Sequence, residues 1–212
     1  MASSLQIEMP RIKHRYSDGL KRAKVAEWTV NYNDVFKMNY FVLLCREWLI
    51  EQGYVTRDDS LFPETMYSER ISPGGREIWI RWRCSKDGIK NSPYKSGLYR
   101  YDLDIDFHAL TLKKVEVMHK GQKYDADKGE VEVNCRANFI FDSRKEIENH
   151  WLLKHFKTML QKKFWRGKIE YHQGALYTEA YRFQEAVKAY LKIDTYLPEK
   201  EGSEFWQKRV PD

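Results

Sequence analysis

The residues whose spacing suits chemistry best lie in the run Y-R-Y-D-L-D-I-D-F-H-A, where Asp102, Asp104, Asp106 and His108 alternate with apolar neighbours. Residues two apart on an extended strand share one face at about 6.5 to 7 Å. Three carboxylates and an imidazole therefore line up on one side. Carboxylates so placed can grip divalent metal, and two Mg²⁺ ions about 3.5 to 4 Å apart would polarise a phosphate while His108 carried a proton. That is the chemistry of a metal-dependent phosphoryl-transfer enzyme, with Asp102, Asp104, Asp106 and His108 as its metal residues. The alternative use is an ionic face, for which Arg81, Arg83, Lys114 and Arg136 on neighbouring strands would supply the opposite charge. No second cluster of Asp, Glu or His in the sequence completes a coordination shell, so the ionic face is the expected use.

Tyr101 to Ile105 also resembles the apolar-Asp-apolar-Asp-apolar strand of nucleotidyltransferases. Membership would imply a Gly-Ser turn opening a helix upstream, to hold a triphosphate. Here Ser96-Gly97 runs straight into the strand, and the sequence departs from the family at that point.

A second group of residues suits recognition rather than catalysis. Lys154, Lys157, Lys162, Lys163, Arg166 and Lys168 lie in a stretch with no acidic residue between Asn149 and Ile169, and Phe164 and Trp165 are embedded in it. Lys and Arg neutralise phosphates while aromatic faces stack on bases, which describes a nucleic-acid surface. Arg11, Lys13, Arg15, Lys21, Arg22 and Lys24 near the N-terminus would add a second contact. The net charge of +6 is concentrated in these two places. Residues 1–30 carry six Lys or Arg against three Asp or Glu, and residues 143–170 carry eight against three. An anionic membrane surface is the other partner such charge could meet. No RNP, KH or helix-turn-helix signature accompanies it. The histidines add little: His150 and His155 are five apart, which turns them away from one another on a helix, and His119 and His172 stand alone. Nucleophile signatures, phosphate-cradling Gly loops and cofactor motifs are absent from the sequence, so no cofactor is expected.

The elements that position these residues follow from periodicity. At 212 residues the chain can bury a core without staples, and 42% hydrophobic with 32% charged residues is the balance of a globular protein. Residues 1–24 read as a basic, partly ordered arm, 25–196 as one domain, and 197–212 as a loose tail in which Phe205 and Trp206 could dock. A strand is expected over Val25 to Tyr32. A helix capped by Asn33 or Asp34 follows, with Val35, Met38, Val42, Cys45 and Leu49 on one face and Gly53 just past its end. Thr65 to Ile71 and Arg76 to Cys84 form a hairpin about Ser72-Pro73-Gly74-Gly75, with Ile78, Ile80, Trp82 and Cys84 sharing a face.

The strand from Tyr99 to about Leu110 comes next. Val115 and Val117 then mark a further strand, Gly121 and Asp125 to Gly129 provide turns, and Val131 to Phe141 alternates strictly. Ser143 with Glu146 forms a capping box opening a long helix with Ile147, Trp151, Phe156, Met159 and Leu160 on its apolar face. Gly167 and Gly174 punctuate the pattern before a second helical stretch with Leu176, Ala180, Phe183, Val187, Tyr190 and Leu191.

The expected fold class is therefore α+β: an antiparallel sheet of five to six strands packed against a helix in the N-terminal half and a long C-terminal helical section. This order resembles the helix-grip arrangement of the START and polyketide-cyclase-like superfamily over residues 25–193, with one long helix where that family usually has two short ones. The resemblance implies a curved sheet around a C-terminal helix and an apolar cavity, lined here by Tyr99, Tyr101, Phe107, Trp82, Phe139 and Phe141. Tyrosine hydroxyls inside it would need partners.

Cys45, Cys84 and Cys135 are odd in number and widely spaced, as expected of buried reduced thiols in a cytoplasmic protein. The N-terminus lacks a signal-peptide pattern, and the longest apolar run, Tyr40 to Cys45, is far shorter than the roughly 18 residues of a membrane span. Three functions follow in order. The first is a non-catalytic protein that binds RNA or another polyanion through the basic helix and arm. The second is a carrier of a small apolar ligand, and the third is the metal-dependent enzyme. The sequence leaves the oligomeric state open.

Overall fold

Alternation of apolar and polar residues produces five strands: β1 (Arg22–Phe36), β2 (Glu64–Ser72), β3 (Gly75–Asp87), β4 (Tyr99–His119) and β5 (Gln122–Phe141). The computed structural model describes residues 20–87, 98–119, 122–159 and 163–193. The strands form one antiparallel sheet in the order β1-β5-β4-β3-β2. The first strand thus pairs with the last, and the chain must cross the sheet before β2 can begin at the opposite edge. Helix α1 (Met38–Glu51) makes that crossing, followed by a single 3₁₀ turn at Asp59–Leu61. The helices α2 (Glu146–Asn149), α3 (Leu153–Met159) and α4 (Arg166–Ile193) come after β5. The molecule is an α+β protein, and among the described residues no helix is long and apolar enough to cross a membrane.

Register explains the core. Trp28, Cys135, Ile105 and Trp82 occupy one row across β1, β5, β4 and β3, so all four point to the same face. Helices α1 and α4 cover that face. Phe41 of α1 meets Phe107 edge-on at 5.9 Å between ring centroids, and Phe183 of α4 lies 5.6 Å from Trp28 and 4.8 Å from Trp48. Full burial of side chains of this size contributes roughly 1.5–3 kcal/mol each. The α4 stripe Leu176, Ala180, Phe183, Val187 and Leu191 is buried as its period of three and four requires. Cys45, Cys84 and Cys135 are free and buried in the same core.

Several local expectations change. Strand β1 begins at Arg22, so 22–24 belong to the sheet rather than to an arm; residues 1–19, 88–97 and 194–212 lie outside the described residues. Asn33 and Asp34 are still within β1, and the start of α1 is capped from the neighbouring strand β5, where the Asp127 carboxylate accepts the Met38 N–H at 3.2 Å. The far end of α1 closes as expected at Gly53, whose φ is +74°. The Tyr54 N–H reaches the Leu49 carbonyl and the Gly53 N–H that of Ile50, a Schellman arrangement.

Val115 and Val117 lie in β4 itself, and 125–129 is paired strand rather than turn. The two strands run on because β4 absorbs an irregularity between Leu110 and Lys113, with Thr111 at φ +51°. Two glycines press on that bulge. A Cβ on Gly75 of β3 would lie 2.8 Å from the Thr111 carbonyl carbon, and one on Gly129 of β5 would lie 2.7 Å from the Leu110 oxygen.

The long helix expected from Ser143 is divided into α2 and α3, and the second expected stretch is α4. Asp142 caps α2, its two carboxylate oxygens accepting from the Ile147 and Glu148 N–H groups at 3.1 Å. His150 then turns extended, and its Nδ1 accepts from the N–H groups of Leu152 and Leu153 at 3.3 Å, ending one helix and starting the next. Gly167 and Gly174 are both inside α4.

Candidate functional site

Asp102, Asp104, Asp106 and His108 stand on the outer face of β4, away from α1 and α4. Cross-strand register places Arg83 opposite Asp104 and Arg81 opposite Asp106. Arg83 lies 2.8 Å from Asp106 and 3.8 Å from Asp104, Arg81 3.6 Å from Asp106, and the Asn138 amide donates to Asp104 at 3.2 Å. Asp102 is fully buried between Arg100 at 2.8 Å and Arg22, which reaches it from β1 at 3.6 Å. His108 shares a hydrogen bond with Glu77 and stacks on Trp79 at 3.4 Å between centroids. Each carboxylate therefore faces a guanidinium. Among the described residues no group of three or more His, Cys, Asp or Glu side chains could hold a metal ion. Such a lattice of charge-assisted contacts fastens β1, β3, β4 and β5 together across the face opposite α1 and α4.

The basic residues divide into three groups. Arg22 is withdrawn from solvent, its side chain 8% exposed, and Lys24 is held at 2.8 Å by Glu27. That contact, with Arg136 beside it, lowers the Glu27 pKa to about 2. Lys21 is exposed, while Arg11, Lys13, Arg15 and Lys162 lie outside the described residues. Lys154 on α3, Lys163, and Arg166 at the start of α4 are exposed. Arg166 contacts Glu170 at 2.8 Å, one turn along the helix, an exposed pair of little strength. Lys168 is half-buried and partnered, and Lys157 belongs to α3.

Aromatic residues separate in the same way. Trp165 packs on Phe141 at the end of β5, 5.6 Å between centroids, and anchors the start of α4. Its neighbour Phe164 is 68% exposed, and Trp151 and Phe156 are 75% and 47% exposed. Helical periodicity assigns Ile147, Trp151, Phe156, Met159 and Leu160 to one buried face; Leu160 lies outside the described residues, and of the other four Ile147 is buried while Trp151, Phe156 and Met159 are exposed. The break at His150 is the cause, since it rotates everything after α2 off the face on which Ile147 sits. The signal in the sequence was the density of cations around these rings, which a core helix does not carry.

A third cluster joins α1, the sheet and α4 from inside. The Tyr54 hydroxyl donates to Glu179 at 2.7 Å, Lys86 lies 2.7 Å from the same carboxylate, and the ammonium also donates to the Gln52 carbonyl. Lys86 sits 4.4 Å above the Tyr54 ring. Beside it the Tyr101 hydroxyl meets Nδ1 of the buried His172 at 2.7 Å, and His172 stacks on Tyr99 at 4.2 Å. These are the partners that the inward tyrosines required. Burial pushes the Tyr101 and Tyr54 hydroxyls up and the His172 imidazole down, so all three are neutral near pH 7.

The fold and its three polar clusters define an α+β protein with a five-stranded antiparallel sheet, an ion-paired outer face and an exposed cationic-aromatic segment. Comparison with known protein families, curated proteins and solved structures found no match, so geometry alone carries the functional reading.

Proposed function

We propose that the protein is a non-catalytic binding protein for a polyanion, with RNA the partner whose chemistry fits best, held at α3 and the start of α4. The observation that supports this most directly is that Lys154, Lys163 and Arg166 are all exposed in a stretch free of acidic residues from Asn149 to Ile169. Counter-ion release makes such binding salt-dependent, with a log–log slope of about −0.7 per phosphate neutralised on a single strand. Three cations give a slope of about −2, and contributions from Lys157 and Lys162 would steepen it to about −3.5. Affinity for mixed RNA and DNA oligonucleotides, measured by fluorescence anisotropy from 50 to 200 mM salt, tests this. Charge reversal at Lys154, Lys163 and Arg166 together should remove most of the binding without lowering the melting temperature, since all three side chains project into solvent. Salt-insensitive binding, or none, would refute the proposal.

A helix-grip carrier would also need the first strand paired with the last and α4 laid over the inner face. Trp82 and Phe107, 4.8 Å apart, and Tyr101 and Phe139, 6.3 Å apart, instead pack on one another there as core. That packing favours a ligand on the surface over one inside.

A further inference from the structure

We infer that the partner of this surface is a single-stranded nucleic acid, whose bases stack on Trp151, Phe156 and Phe164 while Lys154, Lys163 and Arg166 meet its phosphates. This assignment rests on the polyanion reading above and narrows it. Charge alone would serve any polyanion, and the three rings are what discriminate. Large aromatic side chains this exposed leave apolar area in water that a partner could cover. Duplex nucleic acid hides its base faces within the stack, and sulfated or phosphorylated chains without bases have no π face to offer. Splayed single strands present both faces of each base, and stacking on an aromatic ring is tolerant of sequence.

The placement suits an extended strand. Trp151 stands at the turn before α3, Lys154 and Phe156 both lie within α3, and Phe164 lies between Lys163 and Arg166. Four peptide links join Met159 to Lys163, so their Cα atoms lie within about 15 Å, and a strand of a few nucleotides spans both halves of the surface. Tyr171, also exposed, continues the aromatic series along α4 with a ring that carries a hydroxyl. An anionic lipid surface fits less well. Of the exposed aliphatic members, Leu152 lies in the turn before α3 and Met159 ends that helix of only seven residues, with Lys154 and His155 between them. So short a helix has little area to insert.

The test compares a 20-nucleotide oligo-U or oligo-dT, a 20-base-pair duplex, heparin, and vesicles of phosphatidylcholine with and without phosphatidylserine. The intact chain and the variants Trp151→Ala and Phe164→Ala are used, with far-UV circular dichroism confirming that each variant is folded. The single strand should bind at least tenfold tighter than the duplex and quench tryptophan emission. Each variant should lose about tenfold for the single strand, in line with the value of one stacked base, and keep its affinity for heparin. Equal binding of single strand, duplex and heparin, unchanged in the variants, would overturn stacking and leave the polyanion reading standing. Binding to phosphatidylserine vesicles without binding to oligonucleotides would overturn the assignment in favour of a membrane. No binding to any anion would overturn both.

Discussion

At the scale of single residues, His172 is the most informative group in the core. It faces Tyr99 and Tyr101 of β4 and Tyr171 of its own helix, and burial holds its pKa below the ordinary 6.5. The folded protein therefore keeps the ring neutral while the unfolded chain protonates it at about 6.5. Above that pH its contribution to stability is complete. As pH falls through 6.5 toward the lower folded value, the unfolded state binds more protons and stability drops. Melting temperature should decline between pH 7.5 and 5.5, and His172→Gln, which cannot titrate, should flatten that decline. Parallel curves for the two proteins would show that His172 is not the group responsible. Glu27 acts in a separate window. Its folded pKa is depressed to about 2 by Lys24 and Arg136, so its contribution is present above about 4.5 and is lost only as pH falls from there toward 2.

The buried carboxylates follow a related rule. Asp104 is almost wholly buried, with Arg83 at 3.8 Å and the Asn138 amide at 3.2 Å among its partners. Removing the guanidinium takes a contact from both Asp104 and Asp106, so Arg83→Met should cost on the order of 1–3 kcal/mol in urea denaturation. A loss below about 0.5 kcal/mol would mean that the pair behaves as an ordinary surface salt bridge.

At the scale of elements, the bulge in β4 governs how far the sheet extends. Thr111 adopts a left-handed conformation, and the chain of β5 passes so near that only a residue without Cβ fits at Gly129. A Cβ there would meet the Leu110 oxygen and the Leu112 side chain, both fixed in the ladder, at 2.7 and 3.0 Å. Gly129→Ala should therefore destabilise by on the order of 1–3 kcal/mol, the usual cost of overpacking. Gly167→Ala is the control: an added Cβ there would have nothing within 4 Å, and the change should be neutral or stabilising within a helix. Equal effects at the two sites would remove the bulge as the explanation. The break after α2 is the other decisive element, since His150 turns extended and its side chain caps the start of α3, redirecting an otherwise helical stretch.

At the scale of the molecule, one contiguous core joins α1 and α4 to the buried side chains of β1, β3, β4 and β5. Trp28 even hydrogen-bonds the Ala180 carbonyl of α4 from β1, at 3.0 Å. Helix α1 bridges opposite edges of the sheet, so neither half of the chain can keep its packing alone. Tryptophan fluorescence and far-UV circular dichroism should trace a single, superimposable transition in urea. Two separated transitions would show that the edge strands or α4 unfold independently.

Local periodicity by itself determined the α+β class, the inward and outward faces of β3, β4 and β5, and the buried stripe of α4. These depend on residues two, three or four apart, and their side chains point where the backbone of a strand or helix sends them. It also led to the arginines Arg81 and Arg83 as counter-charges to the aspartates. Partners distant in sequence were decided only by the tertiary structure: β1 beside β5, Asp127 capping α1, Arg22 reaching Asp102, and Tyr101 finding His172. No spacing rule reports such pairs, because loop and crossover geometry brings them together.

The candidate surface shows the same division. Its cations and Phe164 were legible as an acid-free basic run, but Trp151 and Phe156 were not, because a helical stripe of apolar residues looks alike whether it faces a core or water. Asp142 starts α2, His150 breaks the helix after Asn149, and Trp151 and Phe156 beyond that break are exposed.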